Sequence, residues 1–392
     1  MVNRPGVSRV GALLAPERII MSRLHHWTSV AGIALIGASA IASGAAETDA
    51  SHRSPSREIS VFATGLNNPR GLKFGPDHYL YVAEGGIGGQ NSTIGQCDQV
   101  PSVGPYTGSP TGARISRINA NGYRETVADN LPSSQTSAAS GSLTSGVADV
   151  AFIDGVLYGL LTGAGCSHGV AGIPNGVFRV GRHDRWELIN DLSAFYMAHP
   201  VENPQPLDFE PDGTPYSMVA VDDELYVVEP NHGEIDRVTT EGRTHRVVDI
   251  SASQGHIVPT AIAYHEGDFY VGNLHTFPIV QGSSKILKIT RGGHVDVFVT
   301  GFTTVLGVAF DSRGRLYVLE NTVGQPFPTP GTGQIVRVDR NGTREIIASG
   351  LSLPTAMTFG PDGNLYVSNF GFGFPPQDFG QILKIEMSHE DD

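Results

Sequence analysis

Six tyrosines stand at positions 81, 158, 226, 270, 317 and 366, and three residues beyond each comes Glu84, Leu161, Glu229, Asn273, Glu320 or Asn369. Five of these six positions carry a carboxylate or a carboxamide. Oxygens of that kind, gathered in a ring, suit a hard divalent cation such as Ca²⁺ or Mg²⁺, and equally hydrogen bonding to a sugar or lactone. The residues around each tyrosine read as a strand, whose side chains alternate between faces. Equivalent positions should therefore point the same way and meet at one mouth of a shared channel. The plainer alternative is that each side chain bonds backbone groups of the loop beside it. Histidines form a second set: His168, His232 and His275 fall ten, six and five residues after their tyrosines, in loops expected on the same face. Imidazoles there could hold Zn²⁺ or act as acid and base, although no compact His-x-x-x-His spacing supports ligation. The candidate metal ligands are Glu84, Glu229, Glu320, His232 and His275. Arg70, with Thr260, Thr304 and Thr355, stands where a first strand would begin, and a guanidinium in a channel can orient an anion. No residue is assigned a catalytic role. The chain has no Gly-x-Ser-x-Gly elbow and no Walker loop. The glycine run from Gly85 to Gly89 follows a strand but opens no helix, so it reads as a loop.

The elements that must position these residues are repeats. The tyrosines sit in segments such as Leu80-Tyr81-Val82, Leu225-Tyr226-Val227, Leu316-Tyr317-Val318 and Leu365-Tyr366-Val367, and the last three gaps between them are 44, 47 and 49 residues. The first two gaps, 77 and 68 residues, are the same unit with insertions. Each unit reads as four strands: an inner one such as Gly307 to Phe310, a turn such as Gly75-Pro76-Asp77, the tyrosine strand, a third of the type Ile335 to Val338, and an outer one such as Glu345 to Ala348. A four-stranded unit of about 45 residues, recurring six times, is the pattern of a six-bladed β-propeller. A sandwich lacks the long repeat, and a β-helix has shorter coils. The sixth unit stops after Ile382 to Ile385 without an outer strand. The segment Glu58 to Leu66 matches Glu345 to Leu351, and is expected to supply that missing strand and close the ring. The propeller is thus expected over residues 58–387 as one domain, preceded by a flexible lead-in at 47–57 and followed by an acidic tail at 388–392.

Residues 1–46 read as a secretory signal peptide, with Met21 as an alternative start: basic residues, a short apolar core around Val30 to Ile41, then small residues ending at Ala46. An uncleaved membrane anchor is the other reading of the same segment. Export makes a disulfide between the two cysteines, Cys97 and Cys166, an expectation. Both lie in glycine-rich insertions at equivalent places in consecutive repeats, so a bridge would clip two loops on one face; two free thiols are the alternative. The formal net charge is -13 with only 26 basic residues and no basic run, which argues against a nucleic-acid partner.

The run Val61-Phe62-Ala63-Thr64-Gly65-Leu66-Asn67-Asn68-Pro69-Arg70-Gly71-Leu72, followed by Gly75-Pro76-Asp77 and Leu80-Tyr81-Val82-Ala83-Glu84-Gly85-Gly86, resembles the ScyD/ScyE family, exported propellers named for a cyanobacterial pigment gene cluster. The resemblance covers about residues 58–387. It implies the propeller and export, and carries no established reaction. The repeat is also similar to those of NHL-type, gluconolactonase-like and streptogramin-lyase-like propellers. Gluconolactonase-like enzymes hold a divalent ion with a Glu, two Asn-type residues and an Asp; the Asp has no counterpart here. The expected function is a secreted, monomeric binding or scaffold propeller that takes a small molecule or an extracellular protein at the channel through Glu84, Glu229, Asn273, Glu320, Asn369 and Arg70. The alternative is a lactonase- or lyase-like enzyme using a channel-bound Ca²⁺ or other divalent cation.

Overall fold

The computed structural model describes residues 57–182, 185–372 and 377–387. The expected signal segment, the lead-in up to residue 56 and the acidic tail lie outside the described residues. The first strand, β1 (Ile59–Leu66), is set aside by the chain for later use. Blade 1 then follows with β2 (Pro69–Phe74), β3 (Leu80–Glu84), β4 (Thr107–Ile118), β5 (Arg124–Gln135) and a two-residue fifth strand, β6 (Thr144–Ser145). Blade 2 holds β7 (Val147–Ile153), β8 (Val156–Leu161), β9 (Gly176–Val180) and β10 (Trp186–Leu188), and is followed by the helix α1 (Leu192–Ala198). Blade 3 holds β11 (Ser217–Val221), β12 (Glu224–Glu229), β13 (Glu234–Thr239) and β14 (Thr244–Asp249), with a single turn α2 (Ser251–Gln254) after it. Blade 4 is β15 (Pro259–His265), β16 (Asp268–Asn273), β17 (Ser284–Thr290) and β18 (Val295–Phe302). Blade 5 is β19 (Val305–Phe310), β20 (Leu316–Glu320), β21 (Gly333–Val338) and β22 (Arg344–Leu351). Blade 6 is β23 (Ala356–Phe359), β24 (Leu365–Asn369) and β25 (Gly380–Ile385), completed by β1, which pairs antiparallel with β25 from Ile59↔Ile385 to Leu66↔Gly380.

The inner strands β2, β7, β11, β15, β19 and β23 each touch the next, and β23 touches β2 again. The sheets are therefore arranged as a closed ring of six blades, as the repeat implies. The repeat tyrosine holds that ring together. In five of the six blades its aromatic ring packs on an aromatic residue of the following blade: Tyr81 on Phe152 at 4.9 Å, Tyr226 on Phe269 at 4.6 Å, Tyr270 on Phe310 at 4.7 Å, Tyr317 on Phe359 at 5.0 Å and Tyr366 on Phe74 at 5.0 Å. Aromatic pairs of this kind contribute about 1 kcal/mol each beyond the area they bury. The Gly-Pro-Asp turn serves the same ring. Tyr81 donates its hydroxyl to Asp77 at 2.9 Å, and Tyr366 donates to Asp362 at 3.0 Å. A Cβ on Gly75 would lie 2.6 Å from the Tyr81 ring, so glycine there makes room for the tyrosine. Polar ties join the inner strands on the channel side. Ser217 donates to the Thr260 carbonyl (2.5 Å), Thr260 to that of Val305 (2.6 Å), and Thr355 to that of Pro69 (2.6 Å).

Candidate functional site

The backbone turn that leads into an inner strand is strained in four blades. Asn68, Val258, Thr304 and Leu353 all carry positive φ, between 49° and 56°, a conformation that costs a β-branched residue on the order of 1–3 kcal/mol. The residues three beyond each tyrosine hold that turn and its neighbours. Glu84 accepts from the Asn67 N–H (2.6 Å), Glu320 from the Thr303 N–H (2.6 Å) and Asn369 from the Ser352 N–H (2.9 Å), while Asn273 donates to the Ile257 carbonyl (2.8 Å). Glu229 accepts from the N–H groups of Thr214 (2.8 Å) and His232. The other ends of the side chains reach the third strand. Glu84 accepts from Arg114 (2.8 Å) and Ser116 (2.5 Å), Glu320 from Gln334 (2.7 Å), and Asn273 from the Lys285 N–H (2.8 Å). Each of the five thus bonds chain close to its own strand: Glu84, Asn273, Glu320 and Asn369 the connection that enters their blade, and Glu229 the N–H groups of Thr214 and His232. None lies on the wall of the cavity described next, and among the described residues no three His, Cys, Asp or Glu side chains stand in metal-ligating geometry.

The cavity opens where the loops after the second strands gather over the inner-strand starts. It measures about 170 Å³. Of the sequence candidates, Arg70, Thr260 and His275 are on its wall. Thr355 lines a smaller cavity of about 40 Å³ further along the channel, beside Asp149. Thr304 instead donates to the Thr322 carbonyl at 2.7 Å. His232 sits behind the wall, its Nε2 3.1 Å from the Glu210 carbonyl.

Arg70 is 9% exposed, and its guanidinium donates to the Thr144 carbonyl at 2.5 Å. The Tyr216 hydroxyl, which donates to the Thr355 carbonyl at 3.2 Å, lies within the field of this guanidinium, whose carbon is 5.9 Å from the centre of the Phe372 ring. Among the described residues Arg70 forms no ion pair. Burial, opposed by the nearby guanidinium, pushes the Tyr216 hydroxyl up to about 12. The facing wall comes from the stretch between α1 and β11, which supplies Asp208 and Glu210. Glu210 is held from both sides: Tyr106 donates to one oxygen at 3.0 Å, and His168 Nε2 lies 2.9 Å from the other. His168 is fully buried, with Nδ1 2.5 Å from the Ala164 carbonyl. Burial disfavours its imidazolium, but the bond to Glu210 and that carboxylate's charge outweigh it, so its pKa is raised. Burial and the Glu210 charge also hold the Tyr106 hydroxyl well above its ordinary value. Asp208 is 2.6 Å from His256, and its carbonyl accepts from Asn231 at 2.8 Å. On the side of blades 4–6 the rim carries aromatic rings. Phe277, Phe327 and Phe372, from the equivalent loops of blades 4, 5 and 6, form a row with ring centres 5.1 and 6.0 Å apart.

The disulfide joins Cys97 to Cys166, with Cα atoms 6.3 Å apart. It ties the loop between β3 and β4 to the loop between β8 and β9, the two insertions that carry Tyr106 and His168, as the sequence led us to expect. Tyr106, Asp208, Glu210, Tyr216, Asn231, Phe277 and Phe372 are wall residues that the repeat did not reveal. Four of them, Tyr106, Asp208, Glu210 and Tyr216, lie in or beside the insertions that lengthen the first two units. That extra length was the available signal.

The geometry places the chain among six-bladed β-propellers, and solved structures agree. It is similar to an oxidoreductase (glucose dehydrogenase) from Thermus thermophilus, at 18% identity and a TM-score of 0.51, covering 84% of this chain and 100% of that one. It is also similar to the PQQ-bound aldose sugar dehydrogenase of Streptomyces coelicolor, at 13% identity and a TM-score of 0.53, covering 84% and 98%. A third, of unknown function from Bacteroides thetaiotaomicron, is 11% identical with a TM-score of 0.52, covering 84% and 76%. At these identities the likeness concerns the fold alone. No protein-family profile and no curated protein sequence matches the chain.

Proposed function

We propose that this chain is a secreted propeller of the ScyD/ScyE type that works as a monomeric binding module, taking a small carboxylate-bearing ligand at the mouth of its channel. One observation carries this reading: Arg70 is a nearly buried cation on the cavity wall whose protein contacts are a carbonyl, a hydroxyl and an aromatic ring, and no carboxylate. A buried charge without a counter-ion is costly, and a ligand carboxylate supplies the counter-ion in the bidentate geometry a guanidinium favours. Asp208 and Glu210 already have histidine partners, so they do not discharge this role. The size of the cavity is close to the roughly 150 Å³ that accommodates a benzene ring, and Phe277 and Phe372 offer flat apolar faces. The ligand class is therefore a single ring bearing an anionic group. The rival lactonase- or lyase-like reading gains nothing from the five repeated oxygens, because backbone N–H groups and third-strand side chains already occupy them.

The test is a thermal-shift and calorimetric panel of cyclic carboxylates set against their amides. Carboxylates should stabilise the wild type, amides should not, and Arg70→Gln should abolish the response. Binding that survives in Arg70→Gln, or amides that bind as well as acids, would sink the proposal.

A further inference from the structure

A second polar cluster is sealed between blades 2 and 3, away from the cavity wall. Glu229 lies directly opposite Glu234, and Val227 opposite Asp236, in the pairing of β12 with β13. Residues two apart on a strand share a face, so the three carboxylates stand on one face of blade 3. That face is turned onto α1, because Val227 and Val238 of the same register pack with Leu192 and Tyr196. Glu229, Glu234 and Asp236 are each fully buried.

Their surroundings satisfy only part of them. Glu229 has its two N–H donors, and one oxygen of Glu234 accepts from Arg246. The other oxygen of Glu234, both oxygens of Asp236, the Tyr196 hydroxyl and His232 Nδ1 are buried and without a hydrogen-bond partner. The Tyr196 and His232 rings are 5.0 Å apart, and the Tyr196 hydroxyl lies within the field of Asp236, Glu229 and Glu234. Five unmet polar atoms thus come from four side chains that share one place. Buried polar groups are nearly always paired, and a concentration of exceptions in one place calls for a missing partner such as an ion or water. The charge count agrees: three carboxylates against one guanidinium leave two negative charges. Burial and mutual repulsion, opposed by Arg246, drive Glu234 and Asp236 toward the protonated form, as expected where positive charge is short.

Two charges and an unpartnered Tyr196 oxygen are left to be met. A hard divalent cation answers both. It takes oxygen ligands from carboxylates, a neutral oxygen and water with flexible geometry. His232 Nε2 faces the Glu210 carbonyl and so carries its proton, which leaves the Nδ1 lone pair to accept from a cation-bound water. We propose that Asp236, Glu234 and the Tyr196 hydroxyl form a buried divalent-cation site of the calcium type, completed by water, between blades 2 and 3. Only two carboxylates ligate directly, so the site needs no three-carboxylate cluster. The cation also has a mechanical place in the fold. Arg246 links Glu234 to the carbonyls of His199 and Pro200, where the stretch leading to Asp208 and Glu210 begins.

The test is elemental analysis of the purified full chain, with thermal melting before and after EDTA and during titration with CaCl₂. One equivalent of divalent metal is expected. EDTA should lower the melting temperature by about 5 °C, and Ca²⁺ should restore it. Asp236→Asn should lose both the metal and the response, and Tyr196→Phe should weaken Ca²⁺ binding about tenfold. A metal-free wild type whose melting ignores EDTA and millimolar Ca²⁺ overturns the proposal. So does an Asp236→Asn protein that still binds Ca²⁺ with unchanged affinity. Should Asp236→Asn fail to fold, the wild-type measurements decide by themselves. Carboxylate binding at Arg70 is read separately and does not depend on the outcome.

Discussion

The two halves of the channel mouth are built differently. On the side of blades 1–3 the wall is polar and already committed: Tyr106 and His168 hold Glu210, His256 faces Asp208, and the disulfide pins the loops that carry Tyr106 and His168. On the side of blades 4–6 the rim carries a row of phenylalanines, with Phe277 61% exposed, beside Val258, Leu274 and Leu306 and the lone polar groups of Thr260 and His275. Arg70 stands between them, with the polar half at its Thr144 contact and the aromatic half at Phe372. The difference teaches where rigidity and where adaptability are placed. The polar half has spent its hydrogen bonds on itself, which fixes its shape, and the aromatic half has surface left for a ligand.

The largest effect should come from unpinning the polar half. Cys97 and Cys166 are separated by 69 positions, and closing a loop of that length stabilises by about 4 kcal/mol in the chain-entropy picture. Replacing both with serine should lower urea-unfolding stability by up to that amount. Hydrogen exchange should rise in the loops around Tyr106 and His168 and stay unchanged around Phe277; a uniform rise would erase the distinction between the halves.

Next comes Glu210→Ala, which strands His168 and frees the Tyr106 hydroxyl. Removing one member of a buried pair costs about 3 kcal/mol, measurable by the same unfolding curves. The pair also predicts a pH dependence. The folded-state pKa of His168 is raised above the ordinary 6.5, so the folded protein binds the proton more tightly than the unfolded chain does. Its contribution is complete below pH 6.5 and is lost as pH rises through the raised value. Stability should therefore fall over that window in the wild type, and His168→Gln should flatten that slope.

Arg70→Met separates the two halves' roles at a smaller energy, about 2 kcal/mol, and on binding alone. Carboxylate affinity should drop roughly thirtyfold, while the protein melts at the same temperature or higher, because a cation without a counter-ion has been removed. Loss of folding in this variant would mean that Arg70 is structural. The smallest effect is expected from Phe277→Ala: affinity down by about 1 kcal/mol for ring-bearing carboxylates and unchanged for acetate, with no change in stability, since this ring is largely exposed already.

Ring, blade count and closing strand were all legible in the sequence, because each rests on a period. Tyr366 recurs for the same packing reason as Tyr81. The disulfide was legible from two insertions in register. The repeated oxygens at Glu84, Glu229, Asn273, Glu320 and Asn369 were visible as well, and so was the possibility that they bond nearby backbone. Their destination was not visible, because a period tells which face a side chain leaves from and not how far it travels. The positive-φ turn at Asn68, Val258, Thr304 and Leu353, which these residues help to hold, has no single residue type to announce it. Glu210 and Asp208 were hidden for the opposite reason. They sit in a stretch that occurs once, so no repeat could point to them.

The pairing of β1 with β25 has a mechanical consequence. The strands are antiparallel, with Ile59 opposite Ile385, so the chain enters β1 and leaves β25 at the same end of the seam. Tension applied at Glu58 and Glu386 would peel this pair one rung at a time and would not load all its rungs together. The ring is closed against thermal opening by the whole of blade 6. Against a pull it is a zipper whose tab is the Glu386 N–H bonded to the Glu58 carbonyl at 2.9 Å.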